Sequence, residues 1–177
     1  MILKAQLGFH AGLEVREPGE HPMEVVEPEK EVNVKPNIWK AIVGGFVGTL
    51  LLTLMIRFVA PVMTGQKMDM AERLGGITGM GSIAGMVLHF LIGSVILALI
   101  YAFILFRILP GTPWQKGVLS GIIFWLALEV LVMPIIGGGF FSSQMGGMKM
   151  VMAALIAHLV YGMALGGIAG DAEPRRA

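Results

Sequence analysis

The chain has 177 residues, of which 55% are hydrophobic and 14% are charged, and its formal net charge is +1. A soluble domain carries roughly 25% charged residues, so this composition excludes a soluble globular enzyme, a nucleic-acid-binding protein and a disordered chain. The sequence contains no cysteine, which excludes disulfides, thiolate metal sites and cysteine nucleophiles. These features indicate an integral membrane protein.

The first 39 residues differ in composition from everything that follows. They hold most of the acidic residues and four prolines, as in REPGEHPMEVVEPEK. The opening residues lack the apolar stretch of a signal peptide, so no cleavage is expected. A segment this polar is expected to be extended unless a partner orders it. We therefore predict an extended N-terminal cytoplasmic tail over residues 1–39, held by a partner chain, and a short cytoplasmic tail over 172–177.

Four segments are long and apolar enough to cross a bilayer, which requires about 20 mostly apolar residues. They cover residues 41–61, 82–106, 117–137 and 150–170. The segments are too uniformly apolar for barrel strands, whose polarity would alternate. The sequence thus predicts an all-α fold, in which a four-transmembrane-helix bundle occupies residues 40–171.

Lysine and arginine are distributed unequally between the two ends of these spans. Three of them flank the outer ends, at Lys67, Arg73 and Lys149. Seven lie at the other side: Lys30, Lys35, Lys40, Arg107, Lys116, Arg175 and Arg176. Because basic residues favour the cytoplasmic face, we expect a multi-pass protein of the bacterial cytoplasmic (inner) membrane with both termini in the cytoplasm.

The two halves of the chain resemble each other. GGFVGTLLLTLMIRFVAP (44–61) aligns with GVLSGIIFWLALEVLVMP (117–134) at a single offset of 73, with matching glycines and a final proline. The second and fourth spans share the pattern His-x-x-x-Gly, beginning at His89 and His158. Such repeats predict two tandem helical hairpins.

Pairs of glycines spaced four residues apart occur in every span. Small residues at this spacing let helix backbones approach closely in lipid. We expect them to pack the bundle, or to pack it against a neighbour. The pairs are Gly44 with Gly48, Gly81 with Gly85, Gly117 with Gly121, and Gly162 with Gly166.

Four ionisable residues lie inside the spans at similar depth, namely Arg57, His89, Glu129 and His158. Each costs roughly 2.5–3.5 kcal/mol at the bilayer centre on insertion scales and usually faces the bundle interior. Arg57 and Glu129 occupy nearly equivalent places in the repeat, which predicts an intramembrane ion pair. Two alternatives stay open: Glu129 carries a proton or binds a ligand, and Arg57 extends to the headgroups.

His89 and His158 lie on spans that run in the same direction. Two imidazoles at equal depth suit a haem b with two histidine ligands, or a metal ion held between helices. The simpler interpretation is a duplicated histidine that hydrogen-bonds a backbone carbonyl or a hydroxyl, and a proton relay is a further alternative.

Methionine is abundant, with 14 residues in the chain, and ten of them cluster toward the outer side. Thioethers and imidazoles together suit copper, so one hypothesis is a copper site made by His89, His158, Met148 and Met150. The alternative is that methionine fills irregular space. The ten are Met63, Met68, Met70, Met80, Met86, Met133, Met145, Met148, Met150 and Met152.

The outer loops, residues 62–81 and 135–149, are too apolar to stand free in water. We expect them to re-enter the membrane or to be covered by a partner.

The GGFVGT start, the first and third spans ending in proline and the two His-x-x-x-Gly patterns resemble a family of small bacterial four-helix membrane proteins. That family is grouped only as a domain of unknown function, and the resemblance covers residues 39–170. It implies a fold and no chemistry.

Three functions are therefore kept as hypotheses. The first is an accessory, structural subunit of a larger membrane complex, such as a respiratory or electron-transfer complex. The second is a haem- or copper-binding protein, and the third is a small oligomeric transporter or channel. The expected partners are membrane lipids and other subunits, which contact residues 1–39 and the outer loops. No nucleic acid is expected, and neither is enzymatic activity of the chain alone.

Overall fold

A computed structural model describes residues 36–67 and 69–170. Within these ranges the chain forms five helices: α1 (Ile38–Thr64), α2 (Met70–Thr78), α3 (Gly81–Ile108), α4 (Pro113–Ile135) and α5 (Met148–Ala169). A single 3₁₀ turn covers Phe140–Ser142. The predicted tails, 1–39 and 172–177, lie outside the described residues except for positions 36–39, of which 38 and 39 already belong to α1.

Four of the helices have the length and composition of membrane spans. Helices α1, α3, α4 and α5 contain 22 to 28 residues and are strongly apolar. At 1.5 Å per residue they are about 33 to 42 Å long, enough to cross a hydrocarbon core of roughly 30 Å. The prediction of an all-α, four-helix membrane bundle is therefore confirmed, and the helix ends lie within four residues of the predicted spans.

Local sequence explains where the helices begin. The Asn37 side chain accepts a hydrogen bond from the Lys40 backbone N–H and so caps α1. Thr112 and Gln115 cap each other's backbone N–H groups at the start of α4, and Pro113 fits the first helical position. Asp69 caps α2 through the Glu72 N–H at 3.1 Å, inside a segment that the sequence predicted only as an apolar loop.

Helix α5 lies between α1 and α4, and α3 packs against α1. Glycines make these approaches close: a Cβ atom on Gly48 would lie 2.8 Å from the Tyr161 ring, and one on Gly166 would lie 2.6 Å from the Cα of Gly117. The predicted packing glycines of α1 and α4 all face α5. These are Gly44, Gly48, Gly117 and Gly121, and the last two meet Gly162 and Gly166.

The Gly81/Gly85 pair has a different neighbour from the one expected. A Cβ atom on Gly85 would collide with the backbone of Ala71 and Gly75, which belong to α2. Gly85 thus lets the short helix α2 lie directly against the start of α3, outside the contacts between membrane helices.

The internal repeat is visible in the backbone of the first and third membrane helices. Both contain a π-helical turn, at Met55–Val59 in α1 and at Leu128–Val132 in α4, and the two turns are 73 residues apart. Each is followed by a proline, whose missing N–H and ring clash disturb the preceding turn. Helices α3 and α5 do not share this likeness, because α3 has two π-helical turns and α5 is regular throughout.

The two ends of the described bundle meet. Pro36 and Gly170 form an antiparallel backbone bridge, and the Asn37 N–H donates to the Ala169 carbonyl oxygen at 3.4 Å. The start of α1 and the end of α5 therefore lie at the same face, as four membrane crossings require.

Candidate functional site

A cavity of about 210 Å³ lies inside the bundle, between α1, α3, α4 and α5. Its wall is mostly apolar, but two histidines and one acidic side chain line it: His89 from α3, His158 from α5 and Glu129 from α4. Three of the four polar residues that the sequence placed at one depth thus converge on one space. The fourth, Arg57, is absent from this lining.

Glu129 is the most unusual residue of the cavity. It is fully buried, and its Oε2 accepts a hydrogen bond from the Ser142 hydroxyl at 2.9 Å. Its Oε1 has no hydrogen-bond partner among the described residues. Because burying a carboxylate without full pairing is costly, the half-satisfied carboxyl marks a site where a proton or a ligand is expected.

The loop after α4 delivers Ser142 to this position through an uncommon backbone. Phe141 and Ser142 both have φ of 50°, in the left-handed region. Residues with a side chain pay about 1–2 kcal/mol each for that conformation. The Phe141 ring packs edge-on against Trp125 with centroids 6.4 Å apart, and the Trp125 indole N–H donates to the Val151 carbonyl oxygen. Strained residues of this kind concentrate at functional sites.

His158 has a defined tautomer when it is neutral. Its Nδ1 lies 2.8 Å from the Ala154 carbonyl oxygen. A carbonyl only accepts, so Nδ1 carries the proton and Nε2 keeps a lone pair. His158 is buried, and it lines the same cavity as Glu129.

His89 is oriented by Thr53 of α1, whose hydroxyl is in turn held by the backbone carbonyl of Thr49. Its Nε2 lies 3.1 Å from the Thr53 hydroxyl oxygen, and that hydroxyl donates its one proton to the Thr49 carbonyl oxygen at 2.7 Å. The Thr53 oxygen therefore accepts from the Nε2–H of His89, which leaves Nδ1 with the lone pair. Both histidines thus make the backbone or hydroxyl hydrogen bonds that the sequence offered as their simpler role.

The predicted ion pair between Arg57 and Glu129 is not formed. Arg57 pairs instead with Asp69 at 3.5 Å, and its side chain is 66% exposed. The repeat explains the error, because its offset of 73 makes Ile56, not Arg57, the equivalent of Glu129. Ile56 lines the cavity as Glu129 does. Successive helical residues point about 100° apart, so Arg57 turns outward.

A more open groove of about 450 Å³ lies beside the cavity. Its polar lining consists of Thr53, Arg57, Asp69, Ser82 and His89. His89, together with Ile56 and Met70, lines both spaces, so this histidine stands at the boundary between them.

The predicted copper ligands do not come together. Met150 is buried and lines the cavity, whereas Met148 is 71% exposed. Two residues apart on a helix correspond to a rotation of about 200°, so the two thioethers point in different directions. In the described part of the chain, no three histidine or acidic side chains are grouped as a metal ion would need.

Haem also fits poorly in the space between His89 and His158. Pockets for drug-sized ligands measure roughly 300–1,000 Å³, and the cavity, at about 210 Å³, falls below that range. A haem b held by these two histidines, as considered from the sequence, is therefore not supported by the geometry.

The fold and the buried site define a small multi-pass membrane protein of four spanning helices. The chain belongs to a family of unknown function, DUF6789, whose model matches residues 36–177. The resemblance seen in the sequence is thereby confirmed for the bundle, while residues before 36 fall outside the match. Comparisons with curated proteins and with solved structures give no match.

Proposed function

We propose that the protein is a small transporter or channel that carries protons, acts as an oligomer, and uses Glu129 as the group that takes up and releases the proton. The observation that carries the proposal is the buried carboxyl with one unpartnered oxygen, facing a cavity together with two imidazoles. Ionisable groups at membrane depth most often belong to ion or proton paths.

The two adjoining spaces support an entry path by which this proton would reach Glu129. The groove is lined by Arg57 and Asp69, and His89 separates it from the cavity that holds Glu129 and His158. At about 30 Å³ for each water, the cavity has room for roughly seven molecules. His89 passes the proton inward from the groove, and His158 holds or returns it through Nε2.

The orientation is part of the same proposal. The distribution of basic residues favours an orientation with the joined ends of α1 and α5 at the cytoplasmic face, and the membrane we propose is the bacterial cytoplasmic one. Glu129 lies six residues before the end of α4, so the cavity belongs to the outer half of the bundle. The groove then receives protons from the outer side.

Proton flux into vesicles tests this function. Full-length protein is reconstituted into liposomes that contain a pH-sensitive dye, and a potassium gradient with valinomycin drives protons inward. We expect the wild type to acidify the lumen faster than empty vesicles and Glu129→Gln to match empty vesicles. The control Glu72→Gln makes the same chemical change at an exposed site and should behave as wild type.

Glutamine keeps the shape of glutamate and an oxygen for Ser142, so Glu129→Gln is expected to fold, and size-exclusion chromatography checks this. Wild-type flux no faster than that of empty vesicles would reject the proposal. Equal flux in the wild type and Glu129→Gln would reject it as well.

A second function, an accessory subunit of a larger membrane complex such as a respiratory one, is favoured by a different observation. The outer loop around the 3₁₀ turn exposes large apolar side chains: Ile135, Phe140, Phe141 and Met148. In this proposal the loop contacts other subunits at the outer side, and residues 1–39 contact them at the cytoplasmic side. Extraction in a mild detergent tests the idea, since a lone, monodisperse chain at the size of the protein itself would argue against it.

A further inference from the structure

We propose that the cavity binds a small monovalent cation that carries N–H groups, meaning ammonium or a short primary alkylammonium ion. The inference rests on the same cavity as the proposed proton path and names a second occupant for it. The reason is that the side-chain hydrogen-bond donors around the cavity already have partners, whereas several acceptors do not.

The hydroxyl donors that line the cavity are all engaged. Thr49 donates to the Gly45 carbonyl oxygen at 2.7 Å, and Tyr161 donates to the Gly93 carbonyl oxygen at 2.6 Å. Ser142 donates to Glu129. Each hydroxyl has only one proton to give, so none of the three has a donor left for a ligand.

The imidazole protons are engaged in the same way. The Nδ1–H of His158 is given to the Ala154 carbonyl oxygen, and the Nε2–H of His89 is given to the Thr53 hydroxyl. What these rings still offer is one lone pair each, on Nε2 of His158 and on Nδ1 of His89.

Glu129 adds the third and strongest acceptor. Its Oε1 is buried and has no partner among the described residues. The histidines and Glu129 thus keep three acceptors from three helices, and one of them bears a negative charge when ionised. The hydroxyl oxygens of Thr49, Ser142 and Tyr161 can still accept as well, so what remains on the side chains that line the cavity is acceptors.

Charge selects the same class of ligand. No lysine or arginine lines the cavity in the described ranges, and the nearby Arg57 is paired with Asp69 outside it. An anion would meet the carboxylate without a compensating cation, and while Glu129 is ionised a neutral carbonyl compound would meet no side-chain donor. A cation with N–H groups finds a charged acceptor in Glu129 and further acceptors in the imidazoles that line the same cavity.

Two aromatic rings and the cavity volume restrict the class of ligand further. The rings of Phe124 and Tyr161, with centroids 6.1 Å apart, both line the cavity, and such rings attract ammonium groups. The volume of about 210 Å³ limits the ligand to a few heavy atoms with or without water. Alkaline-earth ions are a poorer match, because they prefer shells made entirely of oxygen and two of the three acceptors here are imidazole nitrogens.

Binding is measured by isothermal titration calorimetry on the full-length protein in detergent micelles at constant ionic strength. The titrants are ammonium, methylammonium, tetramethylammonium and sodium chloride. We expect saturable binding of ammonium, methylammonium or both. Tetramethylammonium, which is a cation without N–H groups, and sodium should bind at least tenfold more weakly. The ammonium and methylammonium arms separate the inorganic ion from an amine.

Two variants and one control locate the site. Glu129→Gln should weaken binding at least tenfold, whereas the exposed change Glu72→Gln should leave it unchanged. His158→Asn keeps a donor for the Ala154 carbonyl but removes the Nε2 acceptor, so binding should weaken several-fold. This variant keeps the proposal testable if Glu129→Gln does not fold.

Three results would overturn the inference: no saturable binding of ammonium or methylammonium, equal binding of tetramethylammonium, or equal binding by Glu129→Gln. The outcome is independent of the proton assay. Binding without flux would reject the proton path alone, and flux without binding would reject the cation site alone.

Discussion

The Tyr161 hydroxyl donates a hydrogen bond to the Gly93 carbonyl oxygen, and the two oxygens lie only 2.6 Å apart in a buried setting. Gly93 belongs to a π-helical turn of α3, Ile92–Ile96, where the regular i to i−4 backbone ladder is interrupted. The bond therefore joins α5 to α3 across the wall of the cavity. A Cβ atom on Gly93 would collide with the Thr49 side chain, so the glycine also lets α1 lie close to α3 at this turn.

Removing the hydroxyl tests the strength of this link. We expect Tyr161→Phe to lower the free energy of unfolding by about 1–3 kcal/mol, because the buried Gly93 carbonyl loses its partner. Thermal or denaturant unfolding in detergent measures the change. Tyr101→Phe is the matched control: its hydroxyl reaches the Pro113 carbonyl oxygen at 3.0 Å in a less buried place, so its loss should cost less. Equal costs would contradict the assignment.

Ser142 should matter far more than its neighbour. Ser142→Ala leaves Glu129 without any hydrogen bond from the described residues, so we expect a loss of about 1–3 kcal/mol in stability. Ser143 is exposed, and Ser143→Ala should change stability by less than about 0.5 kcal/mol. Denaturant unfolding of the two variants side by side decides the matter, and similar values would mean that the buried hydrogen bond contributes little.

Substitution by alanine should affect stability in opposite ways at two adjacent glycines of α5. A Cβ atom on Gly166 would lie 2.6 Å from both the Gly117 Cα and the Pro113 carbonyl oxygen, whereas one on Gly167 would contact nothing within 4 Å. Gly166→Ala is expected to cost about 1–3 kcal/mol by overpacking α4 against α5. Gly167→Ala should be neutral or slightly stabilising, since alanine favours helix more than glycine does. Unfolding temperatures of the pair check this, and a large loss in Gly167→Ala would contradict the helix packing.

Arg57 should contribute little to stability. Its ion pair with Asp69 is largely exposed, and such pairs are worth about 0–1 kcal/mol, so Arg57→Gln should have a small effect on unfolding. Had Arg57 paired with the buried Glu129, its removal would cost about 3–5 kcal/mol. A loss of stability of that size in Arg57→Gln would therefore support the ion pair with Glu129 that the sequence predicted.

Hydrophobicity alone was enough to predict the four membrane helices. The segments around 41–61 and 150–170 are apolar over a full bilayer thickness, and lipid leaves an isolated apolar segment few alternatives to a helix. Helix α2 escaped prediction because its nine residues are too short and too mixed in polarity to be distinguished from a loop. Its cap at Asp69 is the signal that could have revealed it.

The candidate site was predicted only in part. Equal depth suggested that the intramembrane polar residues form one cluster, and His89, Glu129 and His158 do line one cavity. The rotation about each helix decides which residues face inward. Applied strictly, the offset of 73 pairs Glu129 with Ile56 and not with Arg57. Ser142 could not be found, because its place depends on left-handed backbone at two residues with side chains, which no pattern in the loop sequence demands.

The matched π-helical turns have one more consequence. The two halves share the same bend before a proline, yet one carries Ile56 where the other carries Glu129. The backbone bend is duplicated while the acid is single, so the two matched turns present different chemistry to the same cavity. On the proposed proton path, only one of these two turns therefore carries a group that can bind the proton.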